Sequence, residues 1–405
     1  MVFGGNDMKK VLDDIRVLDF GRFIACPYCG MILGDMGAEV IRIDRTGGEE
    51  DRTVGLQGPN GENTGFASYA RNKKGITLNL LNNEPAQEVL ADLVKVSDVV
   101  IHNFSPYAAD LMGLTYEKLS AIKSDIILSA VSCYGSDGPY AKKTGFDPIA
   151  QTMSGAMAIT GFPGGDPLRS QVPWVDYSTA MANAIGTLLA LRHRDRTGQG
   201  QMVDLALLGT AVSFMGPVIA EAEALGRVRP RVGNRGCYIG PSDLYRCKDG
   251  YVYISTLMNT LWARLLKIVG HEELLEDDEL YNDFQRFELR DRVDPLIEEW
   301  MAGHTVDEVL DKMEEARIPC GRYLEVEEVS KDPHIQARGM IGYTDMEVEG
   351  LERMPVCGTP FRLSRTPGTI ERRAPRVGEH NMEIYQGVLG YSDERMADLE
   401  QQGII

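Results

Sequence analysis

No stretch of this 405-residue chain stays apolar for the roughly 20 residues that a bilayer-spanning helix needs. Its first ten residues, Met1 to Lys10, mix glycine with polar side chains and lack the hydrophobic core of a secretory signal. The expectation is a cytoplasmic protein with no membrane partner. Positive charge is also scarce. Lys and Arg number 42 against 60 Asp and Glu, a net charge of -18. A nucleic acid needs a basic face for its phosphates, so it is not expected as a partner. A small polyanion remains open, because a few local cations and helix N-termini suffice to hold one.

Cysteine is present but unorganised. The 7 residues are an odd number and are scattered. Cys26 and Cys29 have CxxC spacing, without the second pair that a zinc site uses and without a redox motif around them. They read as packed thiols, and no metal site is expected. Internal repeats and low-complexity tracts are missing as well.

What is there is an alternation of strand and helix. Residues 15–20 read as a buried strand, 25–36 as a helix and 39–44 as a second strand. The loop Gly21-Arg22-Phe23-Ile24-Ala25 lacks GxGxxG, so there is no dinucleotide fingerprint. The pattern repeats with strands at 75–80, 98–103 and 126–131 and helices at 84–96 and 116–123. The expected fold class is therefore α/β, a parallel sheet with helices on its faces. Ligands bind such sheets beyond the carboxyl ends of the strands. Asn103-Phe104 and Ser132-Cys133-Tyr134-Gly135 stand at such ends.

From about Gly226 the texture changes. Lys248-Asp249-Gly250 separates β-rich runs at 242–247 and 251–255, which signals a hairpin. Helices follow at 262–269, 288–301 and 305–316. The chain is longer than one compact core usually holds. The expected organisation is a large α/β domain over residues 1–225 and a small α+β domain over 226–330. Residues 331–405 would return to complete the large domain.

The most informative stretch is Trp174-Val175-Asp176-Tyr177-Ser178, which opens a long apolar helix. Asp176 has two readings. A carboxylate at a helix start caps it by accepting bonds from free N–H groups. In a water-poor cleft the same group is a nucleophile or base. Asp147, in Gly145-Phe146-Asp147, is either an Asx turn before Pro148 or a second carboxylate near the site. His193, at the far end of the helix, reads as a solvated residue complementing the helix dipole.

With Val17-Leu18-Asp19-Phe20, Arg71-Asn72-Lys73-Lys74-Gly75, Thr197-Gly198-Gln199-Gly200-Gln201 and Leu244 to Gly250, these stretches resemble the class III CoA-transferase family. That family also contains α-methylacyl-CoA racemases. The resemblance runs from Leu12 to Ile405. It implies a Rossmann-like large domain whose parallel sheet is built from both chain ends, with a smaller domain between them. It also implies an interlocked dimer, of identical chains or with a homologous subunit. Asp176 falls on the family's catalytic aspartate. Phe23, Ile24, Ala25, Arg45, Leu78, Asn103, Phe104, Ala108 and Met112 fall on positions that contact CoA in formyl-CoA transferases. Leu81 and Leu111 stand where those enzymes have basic residues, so phosphate contacts are expected from Arg71 and Lys74, with Lys73 and Arg235 as further candidates.

The implied reaction moves CoA between an acyl-CoA thioester and a free carboxylic acid through covalent aspartyl intermediates. CoA thioester is then a substrate, and no permanently bound cofactor is expected. Backbone N–H groups at Tyr134-Gly135-Ser136 and Gly161-Phe162 are candidates for holding the thioester oxyanion. Tyr28, Tyr238, Trp174 and Met157 are candidates for an apolar pocket. Family racemases carry His before the aspartate of the Gly-x-Asp segment. Phe146 occupies that position here and cannot move protons, which favours transfer over α-epimerisation. A catalytically silent subunit is the remaining alternative, and Asp176 argues against it.

Overall fold

The structure is a computed structural model that describes residues 10–58, 61, 63–81, 83–346 and 351–405. Of the polar N-terminus only Lys10 lies within them. Two compact units emerge. The first comprises Met1–Ser154, Ser170–Phe214 and Pro333–Ile405, the second Gly155–Arg169 and Met215–Asp332.

The first unit is α/β. Its strands are β1 (Arg16–Asp19), β2 (Glu39–Asp44), β3 (Lys73–Thr77), β4 (Val99–His102), β5 (Ile127–Ser132) and β6 (Met202–Ala206). They form one parallel sheet in the order β3-β2-β1-β4-β5-β6. This is the order of doubly wound nucleotide-binding folds. Val17 pairs with Val40 on one side and Val99 on the other, and all three are buried. Central strands covered on both faces require such near-continuous apolar runs. Helix α1 (Ala25–Asp35) is buried along its whole length, as its all-round apolar sequence demands.

Two expectations are corrected here. The sheet is not built from both chain ends, because all six strands lie between residues 16 and 206. The C-terminal stretch meets the β3 edge without forming a strand, through both backbone and side chains, with His380 N donating to Gly75 O at 2.8 Å. His380 Nδ1 accepts from Gly75 N at 3.1 Å, and Asn381 Oδ1 accepts from Thr77 N at 2.9 Å. Nearby Pro375 has no N–H for a ladder. The edge is thus covered without an added strand. The chain end packs as helix, with Ser392 capping Asp393–Gln401. Second, β6 was not expected. Its residues are half-exposed, so it lacks the apolar run that marked the central strands.

The second unit holds an antiparallel sheet of β7 (Ser242–Arg246), β8 (Tyr251–Ser255) and β9 (Cys320–Arg322). Its hairpin turns at Lys248-Asp249-Gly250, closed by Cys247 N donating to Gly250 O at 2.9 Å. Val252, Ile254, Trp262, Leu265 and Met301 pack in its core. β10 (Ile341–Asp345) and β11 (Arg353–Cys357) form a separate antiparallel pair in the first unit.

Candidate active site

Strand order reverses between β1 and β4, so the loops leaving their carboxyl ends part and open a crevice. A cleft of about 270 Å3 lies there. Arg22 to Ala25 line it after β1, Asn103 to Pro106 after β4, and Val131 to Cys133 at the end of β5. Ala141, Lys143 to Phe146, Leu207 and Asp176 complete the walls.

The β1 loop is held in an unusual shape. Phe23 has φ 60°, a left-handed conformation that costs a bulky residue energy. Three contacts impose it. Asn103 Oδ1 accepts from Arg22 N at 2.8 Å while its Nδ2 donates to Arg22 O at 2.7 Å. Asp51 Oδ2 accepts from Phe23 N at 3.1 Å. Asp51 is itself fixed by Arg42 Nη2 at 2.8 Å, and Arg42 Nη1 donates to Gly21 O at 2.7 Å. Arg42, Asp44 and Asp51 are all buried, so this ion cluster lies beneath the loop and sets it. The Phe23 ring meets Phe146 edge-on at 5.8 Å.

α1 begins directly after this loop. The N–H groups of Ala25 and Cys26 donate to no described residue. A helix start of this kind carries partial positive charge and favours anions. Arg22 also reaches the cleft, already paired with Glu49 and Glu50. Its Nη2 pairs with Glu49 at 2.8 Å and its guanidinium lies 4.9 Å from the Phe104 ring centre. Lys143 is exposed, forms no ion pair among the described residues, and rests 4.0 Å from the Tyr140 ring centre.

Asp176 sits in the first turn of the helix Trp174–Thr197. Pro173 precedes that helix and offers no side-chain cap. The cap comes from elsewhere in the sequence. Asp147 Oδ2 accepts from Val175 N at 2.9 Å and from Asp176 N at 3.1 Å. Of the two readings of Asp176, the capping role is thus taken by Asp147. The Asp176 side chain accepts no hydrogen bond from any described residue. Burial, and then the nearby Asp147 carboxylate, push its pKa up to about 7. At Gly145 a Cβ would collide with Cys133 Sγ, so only glycine lets the wall close beside Asp176. Burial also pushes the Cys133 thiol up, keeping it protonated.

The structure brings together Asp176, Phe23, Ile24, Ala25, Asn103 and Phe104. Ala108 and Met112 lie on and just after the helix Pro106–Leu111, which starts at the rim, and do not line the cleft. Arg45 is half-exposed and reaches the site only through Glu49 and Glu50, which it shares with Arg22. Leu78 is buried in the core below.

Arg71 and Lys74, expected as phosphate contacts, do not line this cleft. Arg71 is fully buried and bidentate to Asp35, at 3.2 and 2.7 Å. Lys74 lies near the amino end of β3, bound to Glu39 and Glu383, away from the carboxyl ends that form the cleft. Lys73 is buried against Asp19, and Arg235 is paired with Asp243 and Asp294. The cations that do line the cleft are Arg22 and Lys143. Their signal was the position of Arg22 one residue past the β1 turn glycine, and the Lys142-Lys143 pair before Gly145-Phe146-Asp147.

The expected oxyanion donors are also spent in part. Gly135 N donates to Ser132 Oγ at 2.8 Å and Ser136 N to Asp204 Oδ2 at 3.2 Å. Gly161 and Phe162 belong to the second unit, as do Tyr238 and Met157. Tyr28 and Trp174 pack on the core of the first unit and do not line the cleft. His193 is exposed near the end of its helix. Among the described residues no group of three or more His, Cys, Asp or Glu gathers to hold a metal, and no helix is long and apolar enough to cross a membrane.

A doubly wound sheet with a carboxylate in the cleft at its switch point does not by itself name a reaction. Comparison with known proteins is specific. The sequence profile of CoA-transferase family III matches residues 12–381, and the chain belongs to that family. It is 36% identical to succinyl-CoA–D-citramalate CoA-transferase of Chloroflexus aurantiacus, over 98% of both chains. It is 34% identical to the succinyl-CoA–L-malate CoA-transferase alpha subunit of Chloroflexus aurantiacus, over 99% of this chain and 94% of that one. A crystal structure of a CAIB/BAIF family protein from Brucella suis superposes with TM-score 0.81 at 30% identity, covering 94% of this chain and 100% of the other. The chain is a CoA-transferase, exchanging CoA between an acyl-CoA thioester and a free carboxylic acid.

Proposed function

We propose that this transfer runs through covalent intermediates on Asp176. The observation that carries the reading is a carboxylate in the cleft with no hydrogen-bond donor among the described residues and a pKa pushed up to about 7. A carboxylate stripped of water and donors is far more nucleophilic than a solvated one. An Asp176 oxygen attacks the thioester carbon, the C–S bond breaks, and CoA leaves as thiolate. A mixed anhydride remains. Thiolate then attacks the Asp176 carbonyl carbon and expels the donor acid, leaving an aspartyl thioester. The acceptor carboxylate attacks that carbon and releases thiolate. Thiolate finally takes the acceptor acyl group, which restores Asp176. The start of α1 and Lys143 supply positive charge for the thiolate and the phosphates of CoA. Phe23, Ile24, Ala25, Asn103 and Phe104 form the wall against which CoA lies.

Asp176→Ala should abolish transfer while CoA still binds. Transfer retained above a small residue would remove Asp176 from the mechanism. The names of the relatives put short dicarboxylates first among the acids to test, and Lys143 suits a second carboxylate as well as it suits a phosphate. Epimerisation is the weaker reading. It needs a second acid–base group, and the cleft is lined by Phe146 where a racemase has His.

An interlocked dimer, with itself or with a homologous subunit, belongs to the same reading. Ile185 and Leu189, one turn apart on the Trp174 helix, are 59% and 66% exposed. Such a strip favours a covering partner. Light scattering on dilution should show no folded monomer. A stable, active monomer would refute the interlock.

A further inference from the structure

We infer that Asp147 is a positioning residue for the transfer, fixing where the Asp176 carboxylate stands and denying it the stabilisation a helix start would otherwise give. The inference rests on Asp176 being the nucleophile.

Four contacts carry it. Asp147 is 2% exposed and opens the helix Asp147–Met153. Its Oδ2 takes the N–H groups of Val175 and Asp176, at 2.9 and 3.1 Å. Its Oδ1 accepts from Gln151 Nε2 at 2.5 Å, one turn along the same helix. Gln151, also buried, accepts from Ser170 N through its Oε1 at 2.9 Å. The pair therefore clamps both ends of the segment from Ser170 to Asp176. The chain enters the Trp174 helix at a place set by two buried side chains on another helix.

The electrostatic consequence follows from the same bonds. An aspartate in the first turn of a helix normally gains from the dipole and from free N–H groups, which lower its pKa. Here those donors point at Asp147. Asp176 keeps the burial and gains a like charge beside it, and both disfavour its ionised form. The other groups that face Asp176 are the Cys26 thiol of α1, Cys133, the Tyr69 hydroxyl and its helix neighbour Tyr177. Burial holds each of these neutral, so Asp147 is the charged group among them that acts on Asp176. Arg22 and Lys143 line the cleft but bond to other partners or to none.

Two variants separate position from charge. Asp147→Asn keeps an oxygen for the Val175 and Asp176 N–H groups, removes the charge and gives up the bond from Gln151 Nε2. Asp147→Ala removes both. The full-length protein is labelled with 13C at aspartate carboxyls, and the Asp176 signal is assigned by its loss in Asp176→Asn. In Asp147→Asn the Asp176 carboxyl should titrate at lower pH than in the parent, and the acid limb of kcat/KM should follow it down. In Asp147→Ala kcat should fall about a hundred-fold, the usual cost of misplacing a reacting group by about 1 Å. KM for acyl-CoA should hardly change, and Asp147→Asn should recover most of the lost kcat. An Asp176 titration that stays put in Asp147→Asn overturns the inference. So do equal rates in all three proteins. A titration that moves while the kcat/KM limb stays would overturn Asp176 as the nucleophile and leave its hold by Asp147 standing. Circular dichroism identifies a variant that fails to fold, and Gln151→Ala then tests the clamp, with a kcat loss expected and an unchanged kcat refuting it.

Discussion

Replacing Asp176 with Asn should make the protein more stable while it stops the reaction. The shift of the Asp176 pKa from 3.8 to about 7 means that ionising the carboxyl costs the folded chain free energy that the unfolded chain does not spend. At 1.36 kcal/mol per pKa unit, the roughly three units amount to about 4 kcal/mol. The sign is fixed by which state holds the proton. Between about pH 4 and pH 7 the folded protein keeps it and the unfolded chain has lost it, so stability falls as pH rises through this window. Above about pH 7 the whole penalty is present. Asn cannot ionise and escapes it. Urea unfolding followed by circular dichroism should therefore place Asp176→Asn above the parent by a few kcal/mol at pH 8, and by clearly less at pH 5. Equal stabilities at pH 8 would refute the reasoning. A gap of the same size at both values would show that ionisation is not its source.

The buried cluster under the β1 loop makes a second test. Asp51→Ala leaves Arg42 without one of its partners and frees the Phe23 N–H, so stability in urea should drop by about 3 kcal/mol or more; a loss under 1 kcal/mol would mean that the loop holds its shape unaided. Lys143→Ala should raise KM for acyl-CoA about ten-fold, the size of one charge-assisted contact, with kcat and urea midpoint unchanged. An unchanged KM would take Lys143 out of substrate binding.

The doubly wound core was legible because its strands are short apolar runs separated by helices. Residues 39–44 were read with their observed bounds. β6 was not legible, since an edge strand facing solvent carries no apolar run. Asp176 could be found from its place at a helix start and its resemblance, and the Asn103-Phe104 wall from its strand end. The cations could not. A sequence shows Arg71 and Lys74 as positive charges. Asp35 beneath one, and Glu39 with Glu383 beside the other, appear only when strands pair and chain ends meet. Asp147 illustrates the same limit. Its turn chemistry was visible, but its bonds cross 28 and 29 residues of sequence to a helix whose own cap position is a proline.

The central claim is that a bond forms between Asp176 and the substrate. The most direct test is mass spectrometry of the full-length protein, quenched in acid seconds after mixing with a succinyl-CoA or related acyl-CoA and no acceptor acid, then digested. The peptide containing Asp176 should carry the mass of either the acyl group or CoA, and Asp176→Asn should carry neither. An active enzyme whose Asp176 peptide stays unmodified at every quench time, with the label found elsewhere or nowhere, would contradict the account.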